Sequence, residues 1–221
     1  MGREKIRIEV VTPPVEPPVT VQELKAELVI PDDDIDEEAL MMSYLRTATE
    51  RAERYMNRSI MTQSLSLYMD RWPGTRGGWN DPWWDGVRDG AISELPAGRR
   101  YLELPRSPVQ SVTQILIYAD DDTADVYSSA KYLFDSVSIP PRIVLRDGAE
   151  TPAPTRVALG IQIDYVAGYG DYPHQVPESI RKGILIMAAF LHRHRGECPP
   201  EVADVQSGAS NMWRQYRIRR M

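Results

Sequence analysis

The chain has 221 residues, a length for one domain, or one domain with a large insertion, and enough for a sizeable core. Its 42% apolar and 26% charged residues exclude a disordered or fibrous chain, no apolar run is as long as a membrane span, and the start lacks the apolar stretch of a signal peptide. A net charge of −6 argues against wrapping nucleic acid with the whole surface, and the lone Cys198 excludes an internal disulfide framework and fits a reducing compartment.

Ile6, Ile8 and Val10 alternate with polar residues, as a half-buried strand does. The prolines of TPPVEPPV favour extended chain after it. Thr20-Val21-Gln22-Glu23 has the form of a capping box and predicts a short helix to about Leu28. Pro31 and an acidic run (Asp32, Asp33, Asp34, Asp36, Glu37, Glu38) interrupt it. A long helix is expected from about Asp34 to Asn57, because Met41, Leu45, Ala48, Ala52 and Tyr55 are spaced by four, three, four and three and so share one face.

From Ile60 the period changes to two. Leu65, Leu67 and Met69 predict a strand ending near Trp72-Pro73. The Trp- and Gly-rich stretch 73–90 reads as loop, and its Trp79, Trp83 and Trp84 either fill a partner's pocket or fold back on the sheet. Short strands follow at Tyr101 to Leu104, Val112 to Tyr118, Tyr132 to Phe134, Arg142 to Leu145 and Val157 to Val166, with turn spacings of an antiparallel sheet rather than βα units. DDDTAD, at 120–125, reads as a hairpin turn, since it lacks the alternating ligands, central glycine and terminal Glu of a calcium loop.

AGYGDYPHQVP, at 167–177, raises the question of a phosphate cradle. Two glycines do not make the dinucleotide fingerprint, and no Lys-Ser/Thr pair follows Gly170. Pro177 and Glu178 are ordinary helix-start residues, so the segment reads as a corner between sheet and helix. The helix is predicted to about Arg195, with Ile180, Ile184, Met187, Ala188 and Leu191 on one face. His192 and His194 are two apart, which sends them to different sides of a helix, so HRHR reads as a solvated basic terminus rather than a metal site with Cys198.

The predicted class is α+β: a helical bundle with an inserted antiparallel β region and an extended C-terminal arm. The divisions are an N-terminal strand and Pro-rich segment (1–19), N-terminal helices (20–58), the β region (59–167), a C-terminal core helix (168–197) and the arm (198–221). From Glu201 onward the arm reads as a short helix or an extended segment, and it carries Trp213 and Tyr216 among Arg214, Arg217, Arg219 and Arg220. Those residues suit stacking on bases, docking in a groove while the arginines meet carboxylates, or a solvated terminus. No catalytic triad, zinc-protease or kinase motif occurs, and no enzyme activity, cofactor or metal is expected.

Taken in order, VVTPPVEPPVTVQELKAELVI, ATERAERYMNRSIMTQSLSLYMDRWP, LELPRSPVQSVTQILIYADDD, YLFD, PPRIVLRDG, IDYVAGYGDYPHQVPESIRKGILIMAAFLHRHRGE and SNMWRQYRIRRM resemble the head–tail connector (adaptor) proteins of long-tailed bacteriophages and gene transfer agents. The likeness covers nearly the whole chain, and the 74–90 stretch is longer than the family's usual one. The resemblance implies a structural protein of the virion neck, assembled in the host bacterial cytoplasm. It implies a ring, typically of twelve copies, that sits beneath the portal and extends the DNA channel towards a stopper or tail protein. DNA would pass through without specific binding, and no membrane is involved. Within that picture Trp213, Arg214, Tyr216, Arg217, Arg219 and Arg220 are expected to bind the portal. The Asp32 to Glu38 cluster is a candidate lining for an acidic channel. Alternatives are another neck ring, such as a stopper or tail terminator, a nucleic-acid-binding regulator using the basic tail, and an enzyme without a recognisable motif.

Overall fold

In a computed structural model, residues 6–31, 37–73, 100–195 and 199–218 are described. The loop tryptophans 79, 83 and 84, the acidic residues Asp32, Asp33, Asp34 and Asp36, and the last arginines, Arg219 and Arg220, lie outside them. The elements, in order, are β1 (Arg7–Thr12), α1 (Val21–Leu28), α2 (Glu38–Met56), β2 (Gln63–Met69), β3 (Tyr101–Glu103), β4 (Val109–Tyr118), β5 (Ala124–Val126), β6 (Tyr132–Asp135), β7 (Arg142–Leu145), β8 (Ile161–Ala167), α3 (Glu178–His194), α4 (Pro200–Gln206) and α5 (Ala209–Trp213). The class is α+β, with all strand pairs antiparallel. The chain divides into two compact units, one built of strands and one of helices.

The helical unit grows from local signals. Thr20 and Glu23 form the capping box: the Thr20 amide donates to Glu23 Oε2 at 2.8 Å and the Glu23 amide to Thr20 Oγ1 at 3.2 Å. Along α2 the residues Met41, Leu45, Ala48, Ala52 and Met56 are buried, while Tyr55, the expected last member of that stripe, is only partly buried. Asn57 closes the helix in the left-handed region at φ +56°. All five residues expected on the apolar face of α3 are buried, and they join the α1 and α2 residues in one core.

The corner before α3 is set by a close approach. Gly168 adopts φ +136°, and a Cβ there would run into the Met61 carbonyl. The Tyr169 amide donates to Ile60 O at 3.0 Å and the Thr62 amide to Gly170 O at 3.1 Å, so the backbone groups of the corner are satisfied by the chain itself.

The largest departure from the sequence reading is at the C-terminus. Residues 200–216 are not an extended arm. They form α4, α5 and a short 3-10 turn, and Trp213 is 0% exposed in the helical core. Its indole N–H donates to Ile180 O at 3.2 Å, and its ring lies on Gly183 of α3, where a Cβ would collide with it. Burying an indole whose N–H has a partner is strongly favourable, and that gain holds the segment down.

In the β unit, one sheet has the order β1-β2-β8-β4-β5 and the other β3-β7-β6. Their inner faces supply one core, with Leu65, Leu67, Ile115, Ile163 and Tyr165 from the first and Leu102, Tyr132, Ile143 and Leu145 from the second. Register follows the alternation: Leu65 opposes Tyr165, Leu67 opposes Ile163 and Met69 opposes Ile161. β4 and β5 form a hairpin about the 119–123 turn, where Asp121 accepts from the Thr123 amide and hydroxyl. β8 begins at Ile161 rather than Val157, because Leu159 at φ +53° turns the chain just before it.

Candidate interaction surface

The C-terminal surface is built from the end of α2. The Ile218 amide donates to Met56 O at 3.0 Å, and Arg58 Nε donates to Tyr216 O at 2.6 Å. Glu53 holds the turn after α2 through the Ile60 amide at 2.9 Å and faces Arg106 at 3.7 Å. Tyr169 lies beside this cluster, and burial pushes its phenol up although Arg58 pulls the other way. These contacts fix the backbone of residues 216–218 and decide which side chains remain outside.

Arg214 and Arg217 are exposed, and the Arg217 guanidinium lies 5.1 Å from the centre of the Tyr55 ring. Tyr216 is half-buried. The surface therefore keeps two of the predicted cations and withdraws Trp213, the predicted aromatic anchor. Trp213 ends α5 and Tyr216 lies in the 3-10 turn after it, but the indole points into the chain's own core and is not free to enter a groove with Tyr216.

The acidic candidate is described only in part. Of its six residues, Glu37 and Glu38 are described, and both are paired within the chain. Glu37 accepts from His192 at 2.8 Å and from Arg195 at 2.5 Å, and those two bonds hold its carboxyl below the ordinary value. Glu38 meets the Lys25 ammonium at 2.6 Å, the lysine being almost wholly buried. His192 accordingly is not part of a solvated terminus: it packs edge-on against Tyr44 and faces Glu37. His194 stacks on Phe190 and its Nδ1 lies 2.9 Å from Phe190 O, so the two imidazoles do not converge.

The sheet unit carries two features that the sequence reading passed over. On one face Asp164 accepts from Ser66 at 2.5 Å, Gln114 at 2.8 Å and Gln162 at 2.8 Å, and Tyr118 continues the ladder to Gln162 at 2.8 Å. Burial alone would raise the Asp164 carboxyl, but the three donors outweigh it and hold it low. The alternation in IQIDYVA was the available signal: every second residue of β8 had to face away from the core. The other feature is the turn after β6. Asp135 accepts from the Val137 and Ser138 amides, the Ser138 hydroxyl and Arg142, which presents Val137 at 88% and Ile139 at 74% exposure.

No protein-family model matches the chain, and no curated protein matches it. Solved structures do. A chain from the neck of an empty gene transfer agent particle, computed with C6 symmetry, superposes with a TM-score of 0.73 at 19% identity, over 97% of both chains. A chain from the virion of a native gene transfer agent particle gives 0.71 at 18% identity, over 97% of this chain and 96% of that one. A chain from the neck of a native particle, computed with C12 symmetry, gives 0.70 at 18% identity over 97% of both. At these identities the likeness is one of fold, and it extends over nearly the whole length of each chain.

Proposed function

We propose that this chain is a structural protein of a virion neck, a head–tail connector of the adaptor type. It assembles as a ring beneath a portal and carries the DNA channel on towards a stopper or tail protein. The observation that carries the reading is the fold shared over 97% of the chain with neck components of gene transfer agent particles. The order of sequence segments resembling the adaptor family supports it independently. Head-to-tail contacts between copies close into a ring where the rotation from one copy to the next closes. The neighbours' neck maps, computed with C6 and C12 symmetry, suit such an arrangement.

In this reading the protein catalyses nothing, takes no cofactor and lets DNA pass without specific contacts. The portal contact is made by Arg214 and Arg217, continued by Arg219 and Arg220, with Tyr216 between them. Arginines meet carboxylates in paired, fork-like geometry, so the complementary surface is acidic. Trp213 acts from inside the subunit, by fixing the backbone from which Arg214 and Arg217 project. The test is co-sedimentation of the purified chain with portal-bearing particles. Docking is expected, with weakening in salt and on replacing Arg214 and Arg217 together by alanine. Absence of docking at low salt, with the chain shown folded by circular dichroism, would count against the role.

A further inference from the structure

Among the described residues, β1 is an edge strand with no partner on its outer side. It ends the five-stranded sheet on one side, and of its six residues only Ile8 is even half-buried. Val10 and Val11 are exposed aliphatics along it, at 51% and 61%, and Ile6, just before it, is exposed at 43%. An edge strand of this kind is a template for another strand. The opposite edge of the sheet, β5, is only three residues long.

The order of side chains on β1 says what the other strand is. Ile8 opposes Leu67 and Val10 opposes Leu65, so the even positions lie on the core face. Arg7 opposes Tyr68 and Glu9 opposes Ser66, which places both charges on the other face. Two copies of this strand laid antiparallel about Ile8 bring Arg7 of each copy opposite Glu9 of the other. The same register brings Ile6 opposite Val10 twice and Ile8 opposite itself. Residues directly opposite in an antiparallel pair point to the same face, so the charges meet on one side and the aliphatics on the other. Moving the register by one residue puts the charges opposite aliphatics.

We propose that the free protein forms a two-fold pair through β1, centred on Ile8, in which two five-stranded sheets become one of ten strands. The pair is isologous and closed, so it covers the edge without growing into a fibre. Five residues on each side make a small contact, well below the size of a permanent interface, so the pair is weak and concentration-dependent. The pairing is carried by β1 alone and does not depend on the ring proposed above.

Sedimentation velocity on the full chain, from the micromolar range to about 1 mM, tests it with two charge reversals. Wild type is expected to pass from monomer to dimer as concentration rises. Arg7→Glu and Glu9→Arg each place like charges opposite at two symmetric positions, and each is expected to weaken dimerisation about tenfold or more. Mixing the two variants in equal amounts restores opposite charges at both positions, so a mixed dimer forms where neither variant pairs alone. The double reversal in one chain, Arg7→Glu with Glu9→Arg, also restores the dimer. Circular dichroism on each variant checks that β1 changes leave the fold intact. A wild type that stays monomeric throughout overturns the proposal. So does a dimer that ignores both single reversals, or one that neither the mixture nor the double reversal restores.

Discussion

The two ends of this chain differ in the opposite sense to their composition. The C-terminal residues, aromatic and basic, look like an arm made for a partner, yet Trp213 is a core residue and residues 216–218 are hydrogen-bonded to the end of α2. The N-terminal strand, with ordinary alternating aliphatics, looks like a piece of sheet, yet it is an exposed edge. Residue type therefore says what a segment can do when free, and packing decides whether it is free. A tryptophan next to arginines is an anchor only if its own chain has no cavity for it, and here Gly183 leaves the space.

The strongest way to break this contrast is Trp213→Ala. Removing a fully buried indole costs about 3–5 kcal/mol, so denaturant unfolding of the helical unit should shift far towards lower concentration. Deleting residues from Asn211 onward should cost at least as much, because it removes Trp213 and the bonds at 216 and 218 together. Wild-type stability in the truncated chain would show the segment to be a loose end.

A smaller effect sharpens the same point from the other side of the contact. Alanine at a mid-helical glycine ordinarily stabilises by about 0.5–1 kcal/mol. Gly183→Ala should instead destabilise, by about 1–3 kcal/mol, because the added methyl meets the indole. The sign of the change, read from thermal or denaturant unfolding, separates a packed Trp213 from a solvated one. By contrast, replacing Arg214 and Arg217 by alanine should change stability by no more than about 0.5 kcal/mol, while docking to portal particles falls.

The smallest effect is local and lies in the β unit. Hydrogen bonds from Ser138 and Arg142 hold the Asp135 carboxyl down to about 2, against an ordinary 3.8. The folded state thus favours the ionised form. Its contribution to the turn is complete above the ordinary value and is lost as pH falls from there through the folded value. Amide exchange or chemical shifts of Val137 and Ser138 should report loosening of the turn in that acid window, with the rest of the sheet unchanged. Asp135→Asn should loosen the turn at neutral pH in the same way.

What could be read in advance follows the range of the interactions. α1, α2 and α3 were legible because capping boxes and apolar stripes are written within one or two turns of chain, and the Thr20 box and the Ile180 to Leu191 face are local patterns. Strands β2 and β7 were legible from alternation and turn residues. The start of β8 was placed too early because Val157 and Leu159 continue the apolar pattern, whereas Leu159 takes a left-handed conformation that no local signal announces. The buried C-terminus was not legible because its partners, Ile180 and Gly183, lie about thirty residues away and each is unremarkable in its own helix. The pairing of Glu37 and Glu38, the described members of the acidic cluster, was not legible for the same reason: they meet His192, Arg195 and Lys25 only after folding.

The most direct test of the account is an electron cryomicroscopy map of the chain bound to portal-bearing particles. The account predicts a ring of copies beneath the portal, with Trp213 seated on Gly183 inside each subunit and Arg214 and Arg217 at acidic side chains of the portal. A map with no ring there, or a ring in which Trp213 has left its own core to enter the portal, would contradict it.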